Sequence, residues 1–96
     1  MKITIRSFLT LREAMGDQSE FELEVGNLSI IELLHELSHM FGKRFSEMAF
    51  DQQGKELNPH IRILINGRHY SHLPQKLNTK LQKGDEVGLF PPIAGG

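Results

Sequence analysis

Apolar and polar residues alternate twice near the start of the chain. Lys2-Ile3-Thr4-Ile5-Arg6-Ser7-Phe8 places β-branched side chains on one face. Glu20-Phe21-Glu22-Leu23-Glu24-Val25 is a cleaner period of two, with Phe21, Leu23 and Val25 toward a core and three glutamates toward water. Such alternation marks half-buried strands. Gly16-Asp17-Gln18-Ser19 is turn material between them, so the two runs predict a hairpin with a longer loop.

The period then changes. Ile30, Leu34, Leu37 and Phe41 fall on one stripe of a helix of about three turns. Ser29 and Glu32 have the spacing of a capping box, in which each side chain meets the other residue's backbone N–H. Gly42 suits the position just past the helix, with Lys43 and Arg44 expected at the negative end of its dipole. Phe45 to Phe50 predicts a short further helical turn, residues 52–55 a loop, and Asn58-Pro59 a change of direction.

Ile61-Arg62-Ile63-Leu64-Ile65 is the most hydrophobic run and predicts a strand inside the sheet. Asn66-Gly67 is a strong hairpin signal leading to a brief strand near Arg68 to Tyr70. Leu73-Pro74 to Leu81 reads as irregular and Lys83-Gly84-Asp85 as a turn; Glu86-Val87-Gly88-Leu89-Phe90 is the last strand. Pro91-Pro92 stops it, because neither proline can donate to a ladder. The order β-β-α-β-β-β predicts an α+β fold, with one main helix across one face of a mixed sheet of four to five strands. The β-grasp topology is the natural candidate, with a folded domain over residues 1–90 and a flexible tail over 91–96.

Composition narrows the chemistry. Ninety-six residues, 39% hydrophobic and 24% charged, can bury one modest core. With no cysteine, no side-chain thiol can carry sulfur or ligate a soft metal, so sulfur or acyl chemistry must use another group. A formal net charge of -1 gives no reason to expect nucleic-acid binding. No apolar run approaches membrane-spanning length and no signal-peptide core is visible, so no membrane partner and a cytoplasmic location are expected.

The tail has its own logic. After Pro91 and Pro92 the side chains shrink through Ile93 and Ala94 to Gly95 and Gly96. Two glycines let backbone enter a channel too narrow for a Cβ. The reactive group on such a thread is the Gly96 carboxylate, a poor acyl donor until activated, typically as an adenylate.

The chain resembles the ubiquitin-like sulfur-carrier family, whose branches include the small subunit of molybdopterin synthase and the thiamine-pathway carrier. The matching pieces are Leu11-Arg12-Glu13 with Gly16, Ile65-Asn66-Gly67, Leu81 to Gly84 with Asp85-Glu86-Val87, and Pro91-Pro92-Ile93-Ala94-Gly95-Gly96. The resemblance implies a β-grasp fold. It also implies an adenylating partner, similar to ubiquitin-activating enzymes, that uses ATP and magnesium on the Gly96 carboxylate. A sulfur donor would then make the thiocarboxylate. In the molybdopterin branch the acceptor is a pterin precursor on a larger catalytic subunit. The chain itself would be no enzyme and would bind no cofactor or metal. The stretch Asp51 to Pro59 is longer than the loops of the shortest members, which argues against the compact thiamine type and also resembles carriers for other acceptors, including cysteine formation.

His35-Glu36-Leu37-Ser38-His39 matches the H-E-x-x-H zinc motif, with Gly42 where the extended form wants glycine. Phe45 occupies the third-histidine position, Gly42 is already accounted for as a cap, and one helix leaves little room for a cleft. A solvated stripe is the preferred reading. Asn66-Gly67 is read as a turn and His60, His69 and His72 as surface residues; Met40 and Met48 are read as core or rim fillers.

Continued alternation would turn Phe8, Leu64 and Phe90 away from the helix, opposite to Ile3, Ile5, Ile63, Ile65, Val87 and Leu89. Three large apolar groups on one open face suggest a partner-docking patch, rimmed by Arg6, Arg62 and Arg68. The leading reading is a sulfur carrier for molybdopterin biosynthesis; the alternatives are a carrier for another pathway, a modifier joined to lysines through Gly96, and an interaction module whose tail merely docks.

Overall fold

In the computed structural model, which describes residues 1–51, 53 and 56–92, the first alternating run forms strand β1 (Lys2–Ser7) and the second β2 (Glu20–Glu24). They pair antiparallel, with Ile3 opposite Leu23 and Ile5 opposite Phe21. The predicted loop between them contains helix α1 (Leu9–Ala14), whose Leu11 and Ala14 are buried. One and a half turns are too short to show a period, and so short a helix depends on the core it touches.

Helix α2 (Ile30–Phe41) buries Ile30, Leu33, Leu34 and Leu37. The capping box is present. Glu32 N–H donates to Ser29 Oγ at 3.3 Å, and Ser29 N–H donates to Glu32 Oε1 at 2.9 Å. Gly42 ends α2 at φ +84° and at once begins helix α3 (Lys43–Ala49). Lys43 and Arg44 are therefore in the first turn of α3 rather than a free cationic end of α2. Lys43 pairs with Glu47 at 3.8 Å and Arg44 with Glu13 of α1 at 3.5 Å. The sheet is thus backed by one main helix and two short ones. Met48 packs at the core margin, whereas Met40 is 49% exposed and lies outside the core.

Strands β3 (Arg62–Ile65), β4 (Arg68–His69) and β5 (Glu86–Phe90) complete a five-stranded sheet in the order β2-β1-β5-β3-β4. Asn66 and Gly67 have φ of +51° and +86°, the left-handed pair that a two-residue hairpin turn needs. Tyr70 to His72 leaves β4 as a 3-10 turn, and a second 3-10 turn spans Lys76 to Asn78 within the stretch read as irregular. β5 lies at the centre, parallel to β1 and antiparallel to β3. The core occupies the space between the sheet and the helices, with Ile3, Ile5, Ile63, Ile65, Val87 and Leu89 on the helix side. This mixed sheet with a helix across one face is the β-grasp arrangement. Among the described residues, no helix is long and apolar enough to cross a membrane.

The Glu32 carboxyl is held below its usual value of 4.5 by its hydrogen bonds with Ser29, helped by Lys80. A depressed folded value means that the ionised carboxylate favours the fold above its unfolded value and that this contribution is lost as pH falls through the folded value. Urea unfolding should therefore show a stability gap between wild type and Glu32→Gln at neutral pH that closes in acid; a pH-independent gap would contradict the assignment. Ser29→Ala should cost about 1 kcal/mol in the same assay.

Candidate functional site

The open face is set by register. β1 places Arg6 opposite Gly88 of β5, and β3 places Arg62 opposite Phe90 and Leu64 opposite Gly88. Phe8, just past β1, still donates its N–H to Leu89 O at 3.2 Å, so its side chain continues the β1 alternation onto this face. Its ring stacks on Phe90 with centroids 4.1 Å apart and planes within 1°. Phe8, Leu64 and Phe90 are each half-buried.

Gly88 lies beneath Phe8 and Leu64. A Cβ built there would lie 3.8 Å from Leu64 Cβ and 3.9 Å from Phe8 Cε2, ordinary contact distances, so a methyl fits under the two side chains and a longer side chain would meet them. The three side chains thus form one apolar strip across β1, β5 and β3. A glycine inside a strand is a known sign of close approach, and it was the available signal for this contact. Leu9 extends the strip. It is 66% exposed at φ +55°, a left-handed conformation that leucine rarely adopts. The sequence pattern carries no signal for Leu9.

Charge divides around the strip. On the β2 side Arg6 is shared between Glu20 and Glu86, each at 3.4 Å, and its guanidinium carbon lies 5.9 Å from the Phe8 ring centroid. All three partners are substantially exposed, so these pairs set orientation more than stability. On the other side Arg62 lines two shallow depressions. One is shared with Leu64, Arg68, His69 and His72, and the other runs along Leu9, Phe90 and Pro91. His69 and His72, read from the sequence as unrelated surface residues, have ring centroids 6.4 Å apart, and His69 is half-buried against Tyr70.

The strip ends where the tail begins. β5 stops at Phe90, Pro91 is buried and Pro92 half-buried. Ile93, Ala94, Gly95 and Gly96 lie outside the described residues. Asn66 braces the base of β5. Its side chain donates to Asp85 Oδ1 at 3.0 Å and accepts from Glu86 N–H at 2.9 Å, in addition to its role as a turn residue.

The H-E-x-x-H run lies on α2 with its members facing different ways. His35 stacks on Phe50 with centroids 4.7 Å apart, whereas Glu36 turns toward Val25 and Leu28. His35, Glu36 and His39 are all exposed, and no cluster of three or more His, Cys, Asp or Glu able to hold a metal occurs among the described residues. The residues can present an apolar strip and a charged rim at the root of the tail. The serine hydroxyl nearest this rim, Ser71 Oγ, lies 2.8 Å from His69 Nδ1 on the exposed 3-10 turn.

The profile of the ThiS family matches residues 5–96. Small archaeal modifier protein 3 of Haloferax volcanii is 32% identical over 96 residues, covering 100% of both chains. An Archaeoglobus fulgidus protein, provisionally described as a sulfur carrier, is 32% identical over 80 residues, covering 83% of this chain and 88% of its own. The solution structure of small archaeal modifier protein 1 from Methanosarcina acetivorans superposes with a TM-score of 0.81 at 31% identity, covering 99% of this chain and 96% of that one.

The packing over Gly88 has a direct test. Gly88→Ala adds a methyl at ordinary contact distance and should stay within about 1 kcal/mol of wild type. Gly88→Leu should push Phe8 off Phe90, seen as loss of the ring-current shifts of the stacked pair. Retained stacking would show that Gly88 does not control the strip.

Proposed function

This chain belongs to the ThiS family, and on that premise we propose that it is a sulfur carrier whose Gly96 carboxylate is adenylated and then converted to a thiocarboxylate. The reading is carried by one observation. The central strand runs out from beneath a two-ring apolar strip directly into Pro91-Pro92-Ile93-Ala94-Gly95-Gly96. Folded surface and reactive tail leave the sheet at one point, so a partner that grips Phe8, Leu64 and Phe90 is placed to receive the tail.

In this mechanism a carboxylate oxygen of Gly96 attacks the α-phosphorus of ATP on a partner that resembles ubiquitin-activating enzymes, and magnesium pyrophosphate leaves. Hydrosulfide released by a sulfur donor then attacks the acyl carbon, AMP departs, and the thiol proton is lost to solvent. The resulting thiocarboxylate sulfur is the nucleophile delivered to the acceptor. Hydrolysis of the acyl link afterwards restores the carboxylate. The chain contributes the acyl group, a thread without Cβ atoms at its last two positions, and a docking face. Phe8, Leu64 and Phe90 supply the apolar contact, Arg62 a charge at its rim, and Pro91 and Pro92 the exit from the sheet. Catalysis belongs to the partners.

The first acceptor to test is a pterin precursor on a larger molybdopterin synthase subunit, on the strength of the sequence resemblance to the small subunit of that enzyme. Thiamine and cysteine pathways are the alternatives. A second reading has equal support from the modifier names of the Haloferax and Methanosarcina relatives. Here the same adenylate is attacked by a lysine amine, and Gly96 ends in an isopeptide bond.

Reconstitution with the host's adenylating enzyme tests the shared step. Wild type should support ATP–pyrophosphate exchange, and one residue appended after Gly96 should abolish it. Gly96→Ala should slow exchange about tenfold or more at an unchanged melting temperature. No exchange with wild type would leave only the interaction-module reading, and unaltered exchange with the appended residue would show that activation does not depend on Gly96 as the acyl group. Phe90→Asp should weaken binding to the same enzyme about tenfold or more without unfolding the chain, and equal affinity would remove the strip from the docking surface.

A further inference from the structure

β2 is the outer strand on the side away from β4, and among the described residues nothing pairs with its free edge. The ladder shows which of its backbone groups are free. Val25 N–H donates to Met1 O at 2.9 Å, the Met1 amino group donates to Val25 O at 2.8 Å, and Ser7 N–H donates to Ser19 O at 3.0 Å. Bonded pairs recur at every second residue of an antiparallel ladder, so Phe21 and Leu23 also bond inward to β1. The N–H and C=O groups of Glu20, Glu22 and Glu24 therefore point outward. Their carboxylates lie on the open face beside that edge. Phe21, Leu23 and Val25 turn to the helix side, where they are half-buried. There the edge borders a groove of ≈ 250 Å³ lined by Leu23, Val25, Leu28, Glu36 and the exposed Met40.

We infer that this edge docks an extended segment of a partner protein in which basic and apolar residues alternate. The segment bonds as a sixth strand to the outward groups of Glu20, Glu22 and Glu24. A residue directly opposite each glutamate shares its face of the sheet, so a lysine or arginine there meets a carboxylate. The residues between them turn to the helix side and enter the groove against Leu23 and Met40. Glu22 is the anchor. Glu20 pairs with Arg6 at 3.4 Å and Glu24 with the terminal amine at 3.0 Å, whereas Glu22, opposite Thr4, has no ion pair among the described residues.

A second copy fits poorly. Antiparallel pairing of two β2 strands sets glutamate against glutamate, and β4 offers an edge of only two residues. Charged side chains commonly guard sheet edges against chance pairing. Here a single sign of charge makes the guard selective, repelling acidic strands and admitting basic ones. β1 and β5 separate this edge from β3, and the tail leaves from β5, so a bound segment leaves Phe90 and the tail accessible. The inference is thus independent of which group attacks Gly96.

The probe is a synthetic peptide of alternating lysine and valine, titrated into the isotope-labelled full chain. Binding should saturate, and the amide protons of Glu20, Glu22 and Glu24 should gain protection from hydrogen exchange. Glu22→Lys, at an exposed position that leaves the core intact, should weaken binding about tenfold or more. A peptide N-methylated at alternate amides should lose binding, since it cannot add a strand. Equal binding of the N-methylated peptide, or of one with glutamate in place of lysine, would overturn the inference. So would binding without gained amide protection, binding centred on β3 and β4, or no binding.

Discussion

The parallel pairing of β1 with β5 is the constraint on which the molecule depends. It brings Thr4 beside Glu86 and Ser7 beside Leu89, joining the first and last strands of the described chain at the centre of the sheet. Without it the sheet falls into two parts, β2-β1 and β5-β3-β4, since among the described residues no other pairing joins them. The pairing closes a long loop, whose entropy must be offset by buried side chains. Ile3, Ile5, Val87 and Leu89 on the helix side, against Ile30, Leu34 and Leu37 of α2, supply that burial.

The same pairing decides what the other face presents. Once Val87 and Leu89 point to the helices, Glu86, Gly88 and Phe90 must point away from them. Phe8 and Leu64 then lie over Gly88 of β5, and Phe90 closes the strip where the strand ends. The tail leaves from that end. One face holds the fold together while the other is available for recognition, with β5 common to both. The glutamates of β2 and the arginines and histidines beyond Leu64 give the two sides of the open face opposite character.

Much of this was legible in the residues themselves. The alternation of β1 and β2, the Ser29–Glu32 box, the Asn66-Gly67 turn and the stop at Pro91 are each local signals, and each formed where its pattern lies. Features that depend on tertiary contact were not. α1 is too short to show a period and exists because Leu11 and Ala14 are buried. Gly42 serves as the end of one helix and the start of another, which turned Lys43 and Arg44 from an expected cap into the first turn of α3. The approach of His69 to His72 follows from the 3-10 turn after β4, and the exposure of Leu9 from its left-handed backbone. Phe8, Leu64 and Phe90 could be assigned to one face from sequence, but their contact depends on the strand register over Gly88.

The central claim is that Gly96 carries sulfur. The most direct measurement is the intact mass of the untagged protein purified from its own host under sulfur-replete growth, with the C-terminal peptide sequenced by fragmentation. A fraction in which one carboxylate oxygen of Gly96 is replaced by sulfur is the expected result. Gly96 found only as a plain carboxylate, even when the acceptor pathway is blocked so that charged protein accumulates, would contradict it.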